Sequence, residues 1–294
     1  MGSMHPAIAE VGEYWIAKDL GDQAQGHSCR MRTIAVANQK GGCGKTTTAV
    51  NIAAALATLG QRVLLIDFDP QGHATLGLGY NPDAPGRTLY DVLTNPQVPL
   101  STVMKRTSVE RLDLAPSNIL LAGAELHLRQ TLGRELVLGE QLVPMANRYD
   151  VCVIDCPPSL GLLMINALVA SSDVLVPVQA HFYALDGLKR LLSTICAMRE
   201  RFHPCWVRTL GLLVTFVEDR TMLSKRVQLG MREIFGHLVF ETVIHKSINL
   251  AEAPSVGQSI STYAPESRAA AEYKALAVEA LARLREQEMV GFSA

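Results

Sequence analysis

The 294-residue chain carries 27 basic and 28 acidic side chains for a formal charge of −1, and 48% of its residues are hydrophobic. That balance excludes a disordered chain, a collagen-like repeat and a polycationic nucleic-acid binder. The longest nearly uncharged apolar stretch, residues 160–170, falls well short of the roughly 20 residues that cross a bilayer, so no transmembrane helix is expected. Six cysteines without a CxxC pair suggest neither a disulfide scaffold nor a zinc ribbon and fit a reducing cytoplasm.

Residues 1–31 read as a flexible N-terminal extension. The opening Met-Gly-Ser-Met resembles a tag remnant ahead of Met4, and no basic segment joined to an apolar core follows it, so no secretion signal is expected. Val11, Tyr14, Trp15, Ile16 and Leu20 form at most one face of a short helix, which is marginal in isolation. From Arg32 onward, short β-branched runs alternate with helical periodicity, as βαβ units require. Strands are expected over 33–37, 62–67, 111–115, 150–155, 173–178, 209–215 and a shorter 239–244, and helices over 45–59, 185–201, 223–235 and 268–288. The runs 63–66 and 174–176 are apolar on both faces, which places them in a parallel sheet covered by helices on each side. The fold class is therefore α/β, a doubly wound, mostly parallel sheet flanked by helices. No repeat, low-complexity tract or Pro/Gly/Ser linker divides residues 32–290, so a single domain is expected there.

The strongest chemical signal is Gln39-Lys40-Gly41-Gly42-Cys43-Gly44-Lys45-Thr46-Thr47, directly after a predicted strand and opening a predicted helix. Small residues there let backbone N–H groups close around phosphate oxygens at a helix N-terminus, Lys45 supplies a cation for the terminal phosphates, and the Thr46 hydroxyl can ligate Mg²⁺. The first glycine of the ordinary phosphate-loop pattern is replaced by Gln39, and a second lysine, Lys40, follows it. Two lysines exceed what one nucleotide needs, so Lys40 either stays in solvent or serves another nucleotide, such as one held by a second copy of the chain. Cys43 sits beside positive charge, where a thiol can ionise more readily; a small filler residue is the preferred reading over a redox switch. Cys152 and Cys156 read as core thiols.

Two acidic strand ends face the same edge. The segment 62–67 runs into Asp67-Phe68-Asp69-Pro70-Gln71-Gly72, and 151–155 runs into Asp155-Cys156-Pro157-Pro158-Ser159. Carboxylates at the C-terminal edge of a parallel sheet can hold Mg²⁺ through water and orient a nucleophile, and Asp155, ending an apolar strand, reads as the Walker B acid.

These segments, with Leu89-Tyr90-Asp91-Val92-Leu93, Ser117-Asn118-Ile119-Leu120-Leu121-Ala122-Gly123-Ala124-Glu125 and Leu250-Ala251-Glu252-Ala253-Pro254-Ser255, resemble successive blocks of the ParA/Soj-type partition ATPases. These form the deviant Walker A branch of P-loop NTPases. The blocks stand in family order over nearly all of residues 32–285; the phosphate loop alone would also admit MinD-type and nitrogenase iron-protein relatives. The resemblance implies an ATP-sandwich homodimer in which Lys40 crosses to the partner's nucleotide. It implies that Gly41, Gly42, Cys43, Gly44 and Lys45 cradle the phosphates, with Lys45 at the β- and γ-phosphates, Thr46 at Mg²⁺ and Thr47 at the α-phosphate. Asp69 would position the attacking water, Asp67 and Asp155 would support the metal region, and Pro265 would lie on the adenine side. ATP and Mg²⁺ are the implied cofactors.

The same resemblance implies a cytoplasmic, nucleoid-associated protein that binds double-stranded DNA without sequence preference as the ATP dimer. A ParB-like or other cargo adaptor would stimulate its slow hydrolysis. Residues 220–249 hold Arg220, Lys225, Arg226, Arg232 and Lys246 against Glu233 and Glu241, a local +3 that suits phosphate contacts, although such residues also serve as an ordinary solvated helix face. Arg220, Lys225, Arg226 and Lys246 are the candidate DNA contacts. Two departures stand out: Asn249 replaces a family arginine just before Leu250, and Ala264 replaces a frequent aspartate before Pro265. A MinD-like membrane switch is the rival, but residues 281–292 mix charges and lack a Lys-rich amphipathic anchor, so no stable membrane association is expected. A static module that uses ATP only to dimerise is the other alternative. The cargo, whether chromosome, plasmid or protein assembly, is not encoded in any motif.

Overall fold

Seven strands form one sheet in the order β3-β4-β2-β5-β1-β6-β7. They are β1 (Arg32–Val36), β2 (Val63–Asp67), β3 (Lys105–Arg106), β4 (Leu112–Ala115), β5 (Val151–Asp155), β6 (Asp173–Gln179) and β7 (Arg208–Thr215). The computed structural model describes residues 31–180 and 207–291, and between them residues 188, 191 and 193–197. Every neighbouring pair is parallel except β3 with β4. The helices are α1 (Lys45–Thr58), α2 (His73–Gly77), α3 (Leu89–Thr94), α4 (Leu121–Leu128), α5 (Val137–Leu142), α6 (Leu162–Val169), α7 (Met222–Phe235), α8 (Ile248–Glu252), α9 (Ile260–Tyr263) and α10 (Arg268–Gly291).

The alternation of side chains along a strand sends two sets of apolar residues to opposite faces, and each face has its own core. Ala35, Leu64, Ile66, Cys152 and Ile154 pack with buried residues of α3, α4, α5 and α6. Ile34, Val63, Leu65, Val151 and Val153 pack with α1 and α10. The sheet is thus doubly wound, as the two-sided apolar runs require. Tyr273 of α10 is fully buried against α1, its hydroxyl 3.5 Å from Thr48 Oγ1. At the N-terminal edge of the sheet, the buried Arg32 guanidinium pairs with Asp173 at 2.7 Å and donates to the Leu284 carbonyl of α10 at 3.2 Å.

Six of the seven expected strands are present with ends shifted by at most one residue. The expected strand over 239–244 is not formed as one. Val239 makes an isolated parallel bridge to Leu212 of β7 and His245 one to Val217 just beyond it; the amides of Phe240 and Ile244 donate to the Leu212 and Val214 carbonyls of β7, both at 2.9 Å, and side chains satisfy other groups of the segment. Glu279 accepts from the amides of Glu241 and Thr242 at 2.8 and 3.0 Å, Arg283 donates to the Val239 carbonyl at 2.9 Å, and Arg232 donates to the Glu241 carbonyl at 3.1 Å. A ladder is unnecessary where buried or edge backbone groups find other partners.

The helix expected over 223–235 begins one residue earlier, capped by the Thr221 hydroxyl accepting from Ser224 N at 3.3 Å. Of the helix expected over 185–201, residues 188, 191 and 193–197 are helical, and the rest lies outside the described residues, as does the N-terminal extension up to residue 30. The two-residue β3 and the short helices α2, α3, α5, α8 and α9 were not expected, because none spans two full turns and period-based reading needs a longer window.

Candidate functional site

The loop between β1 and α1 is built by its neighbours as much as by its glycines. Asn38 donates from Nδ2 to the Pro177 carbonyl of β6 at 2.7 Å and accepts from Lys40 N at 3.0 Å, which turns the chain away from the sheet. Gly42 and Gly44 stand at φ +71° and +87°, the left-handed region that favours glycine, and a β-carbon on Gly44 would come within 3.3 Å of the Phe216 ring. The Thr215 hydroxyl at the end of β7 donates to the Cys43 carbonyl at 2.9 Å. Helix α1 then starts with no side-chain cap and no acid in its first turn, so its first amides and positive dipole end face the loop. Lys45 is buried, and its ammonium donates to the Lys40 carbonyl at 3.0 Å, across the mouth of the loop. Lys40 itself is half-buried, and its ammonium makes no ion pair among the described residues.

Cys43 occupies the inside of this loop as a filler. Its thiol donates to the Lys40 carbonyl at 3.2 Å, and burial pushes its pKa up, outweighing the pull of the Lys45 and Lys40 ammonium groups. Burial likewise raises the Cys152 and Cys156 thiols, which are core groups.

Across from the loop, β2 and β5 lie side by side in register, so that Asp67 and Asp155 are direct neighbours at the C-terminal edge of the sheet. The two acids differ in their partners. One Asp67 oxygen accepts from Thr75 N at 2.7 Å and from Thr75 Oγ1 at 2.6 Å, while the other accepts from Asp69 N at 3.4 Å. Burial still raises its pKa to about 6. Asp155 is fully buried, and among the described residues neither of its carboxylate oxygens has a hydrogen-bond partner. Its pKa stands well above that of a free carboxyl because of burial first and the charge of Asp67 second; the Thr46 hydroxyl pulls the other way without reaching ordinary hydrogen-bond geometry, and Lys45 also favours the ionised form. Asp69 is held by a turn: its Oδ1 accepts from Gln71 N at 3.0 Å, and its carbonyl accepts from Gly72 N at 3.0 Å and from Ser117 Oγ at 2.8 Å.

A buried carboxylate without donors is costly unless a cation approaches it. Asp155, with the Thr46 hydroxyl and the Lys45 ammonium facing it, therefore fits a magnesium-bound phosphate chain. Among the described residues no three His, Cys, Asp or Glu side chains form a metal cage, which suits an ion that keeps phosphate oxygens and water as its main ligands. Asp67, placed with the metal-supporting residues by the sequence, instead spends most of its lone pairs on Thr75 and Asp69 N. Thr75 and Ser117, which contact Asp67 and Asp69, were passed over by motif reading; Ser117 heads the block 117–125, whereas Thr75 lies three residues past the block 67–72 and carried no signal. Pro265 is exposed in the turn between α9 and α10, a segment tied to the loop-bearing helix where Asn51 Oδ1 accepts from Ile260 N at 2.7 Å.

The four candidate DNA contacts do not share one state. Arg220, Lys225 and Arg226 are exposed at the start of α7 and form no ion pair among the described residues. Lys246 is exposed but lies 3.1 Å from Glu218, and Arg232 pairs with Glu241 at 2.8 Å. Asp219 also folds into this region, 2.9 Å from His245 Nε2 and 3.0 Å from Arg268. The local surplus of positive charge is thus smaller than the window 220–249 suggested, because Glu218 and Asp219 fall just outside it, and it concentrates on three residues.

Comparison with known proteins agrees with this geometry. A family model described as an AAA domain matches residues 31–205. The sporulation initiation inhibitor protein Soj of Bacillus subtilis is 45% identical over 251 residues, 85% of this chain and 98% of that protein. The chromosome-partitioning ATPase Soj of Thermus thermophilus is 44% identical over 262 residues, 87% of this chain and 98% of the relative. Among solved structures, a protein named cobyrinic acid a,c-diamide synthase from Mycobacterium smegmatis, crystallised with an ATP analogue and magnesium, superposes with a TM-score of 0.76 at 37% identity, covering 87% of this chain and 96% of that one.

Proposed function

Because this chain belongs to the Soj/ParA family of chromosome-partitioning ATPases, we propose that it is a nucleotide-switched positioning ATPase that dimerises around Mg·ATP and binds DNA without sequence preference in that state. A cargo-bound adaptor then stimulates slow hydrolysis and release, and the protein works in the cytoplasm on the nucleoid. The observation that carries the reading is the division of labour between the two loop lysines. Lys45 is buried across the loop mouth, whereas Lys40 is half-buried and without an ion pair among the described residues, which supports its serving a nucleotide held by a second copy. The relative named as a chromosome-partitioning ATPase at 44% identity supports the cellular role, and the neighbour solved with an ATP analogue and magnesium supports the cofactors.

In this reading magnesium, when bound with ATP, neutralises phosphate charge and orients the reacting phosphoryl group. The chain's own groups do the rest. The loop amides and the N-terminus of α1 bind phosphate oxygens; Lys45 pairs with the terminal phosphates; the Thr46 hydroxyl and Asp155 hold the metal region, with Thr47 at the α-phosphate and Pro265 on the adenine side. Asp69 orients the water at the C-terminal edge of β2. Lys40 of the second copy adds a cation only when the dimer forms, which couples hydrolysis to association because phosphoryl transfer depends on positioning and charge stabilisation. Arg220, Lys225 and Arg226 carry the DNA contact, and Lys246 joins it by exchanging Glu218 for a phosphate, at small cost since exposed pairs are worth well under about 1 kcal/mol.

The test is binding to nonspecific duplex DNA at low and physiological salt with ATP, ADP and no nucleotide, alongside Arg220→Ala and Lys225→Ala. Salt-sensitive binding in ATP alone, weakened in both variants, is the expected result, with a shallower salt dependence as each phosphate contact is removed. An ATP-dependent dimer that ignores DNA but floats with anionic liposomes would overturn it in favour of a membrane-bound switch.

A further inference from the structure

Ser117 lies just past the end of β4, in the block 117–125 to which the proposed chemistry assigns nothing. It is completely buried, and it is polar where the sheet edge could have used alanine. Its hydroxyl donates to the Asp69 carbonyl at 2.8 Å, and its amide donates to Thr75 Oγ1 at 2.9 Å. The Thr75 hydroxyl, also buried, donates a hydrogen bond to Asp67 Oδ2 at 2.6 Å. The chain Ser117–Thr75–Asp67 therefore closes a ring with Asp69, whose amide faces the second Asp67 oxygen. Gly72 seals the ring from outside: at φ +65°, a β-carbon there would come within 3.4 Å of the Ser117 carbonyl and within 3.0 Å of Pro82.

We propose that Ser117 and Thr75 are positioning residues for hydrolysis, fixing the acid-bearing loop after β2 to the end of β4 so that the Asp69 carboxylate is presented in one orientation. The inference rests on the reading of Asp69 as the water-orienting group. Asp69 is followed by Pro70, which has no amide to donate, so the residue is held at its carbonyl by Ser117 and Gly72 and at Oδ1 by Gln71, leaving its other oxygen to act. A hydroxyl that anchors a main-chain carbonyl just past the neighbouring strand sets the direction of the side chain, and displacement by about 1 Å costs phosphoryl transfer far more than it costs nucleotide binding. The affinity for nucleotide comes from the loop and α1, which neither hydroxyl touches.

The test uses the full chain with Ser117→Ala, the isosteric Thr75→Val and the hydroxyl-retaining Thr75→Ser, reading the dissociation constant for a fluorescent ATP analogue and the single-turnover hydrolysis rate separately. Ser117→Ala and Thr75→Val are expected to bind within about twofold of wild type and to hydrolyse about tenfold more slowly, while Thr75→Ser recovers most of the rate. Asp69→Ala and the double variant Asp69→Ala/Ser117→Ala complete a cycle: if Ser117 acts through Asp69, its loss costs nothing once Asp69 is gone. Wild-type hydrolysis in Ser117→Ala with Asp69→Ala inactive would overturn this inference alone. Wild-type hydrolysis in Asp69→Ala would overturn the reading of Asp69 and this inference with it. Should Ser117→Ala fail to fold, the Thr75→Val and Thr75→Ser pair decides: equal rates in the two refute the proposal.

Discussion

Replacing Asp155 with asparagine should make the nucleotide-free protein more stable and the nucleotide-bound protein less so. Asp155 is fully buried beside Asp67, with no donor on either oxygen among the described residues, and asparagine fills the same volume without the charge. An aspartate that ionises less readily when folded than when unfolded binds more protons in the folded state, so its contribution makes stability fall as pH rises from the unfolded pKa through the folded one. Asp67 sets the scale: burial moves it from 3.8 to about 6 although three donors share its oxygens, a difference worth about 3 kcal/mol. Asp155 lacks those donors among the described residues and is shifted in the same direction, so Asp155→Asn should unfold at a higher temperature than the wild type at pH 7–8. The assay is thermal unfolding of both proteins from pH 4 to pH 8, with and without Mg·ADP. The advantage of the variant should grow between pH 4 and pH 7, and added Mg·ADP should raise the wild-type midpoint but barely move the variant. Equal midpoints at pH 5 and pH 8 without nucleotide would refute the claim that Asp155 carries an uncompensated buried charge, and equal stabilisation by Mg·ADP would refute its place beside the metal.

Lys40→Ala should retain nucleotide binding as a monomer yet lose ATP-dependent dimerisation in analytical ultracentrifugation; a variant dimer as stable as wild type would leave that lysine in solvent. Gly257→Ala should destabilise by about 2–3 kcal/mol or more in denaturant titration, since the new β-carbon would lie 2.4 Å from the Gly79 α-carbon and φ is +67°. Arg283→Ala removes donors to the carbonyls of Leu210 and Val239 and a guanidinium 4.2 Å from the Phe240 ring centroid; a loss of about 2–4 kcal/mol, with faster amide exchange over residues 239–242, is the expected outcome. Iodoacetamide should label Cys43 at least about tenfold more slowly than a free thiol at pH 8, because burial keeps the thiol protonated, and rapid labelling would revive a redox role.

Much of this protein is settled by local rules that a sequence displays directly. Runs such as Val63-Leu64-Leu65-Ile66 can be buried on both faces only inside a parallel sheet, and a Gly-rich turn between such a strand and a helix can only place its amides at a helix N-terminus. The sheet, α1, α7, α10, the phosphate loop and the two acid-tipped strands follow from those patterns. What the sequence could not determine depends on groups far apart in the chain meeting in space. Asp67 and Asp155 look alike as strand-ending acids, yet Thr75 partners one and no hydrogen-bond donor among the described residues partners the other, because only folding sets α2 against β2. Segment 239–244 has strand character but divides its hydrogen bonds between the backbone of β7, reached by the Phe240 and Ile244 amides, and side chains of α7 and α10. Lys246 and Glu218 are 28 positions apart, and nothing in the sequence marks them as partners, so a charge count over 220–249 left Glu218 out. Periodicity reports which face is buried; which buried polar group meets which partner is decided by tertiary contacts alone, and that is where the chemistry of this site is tuned.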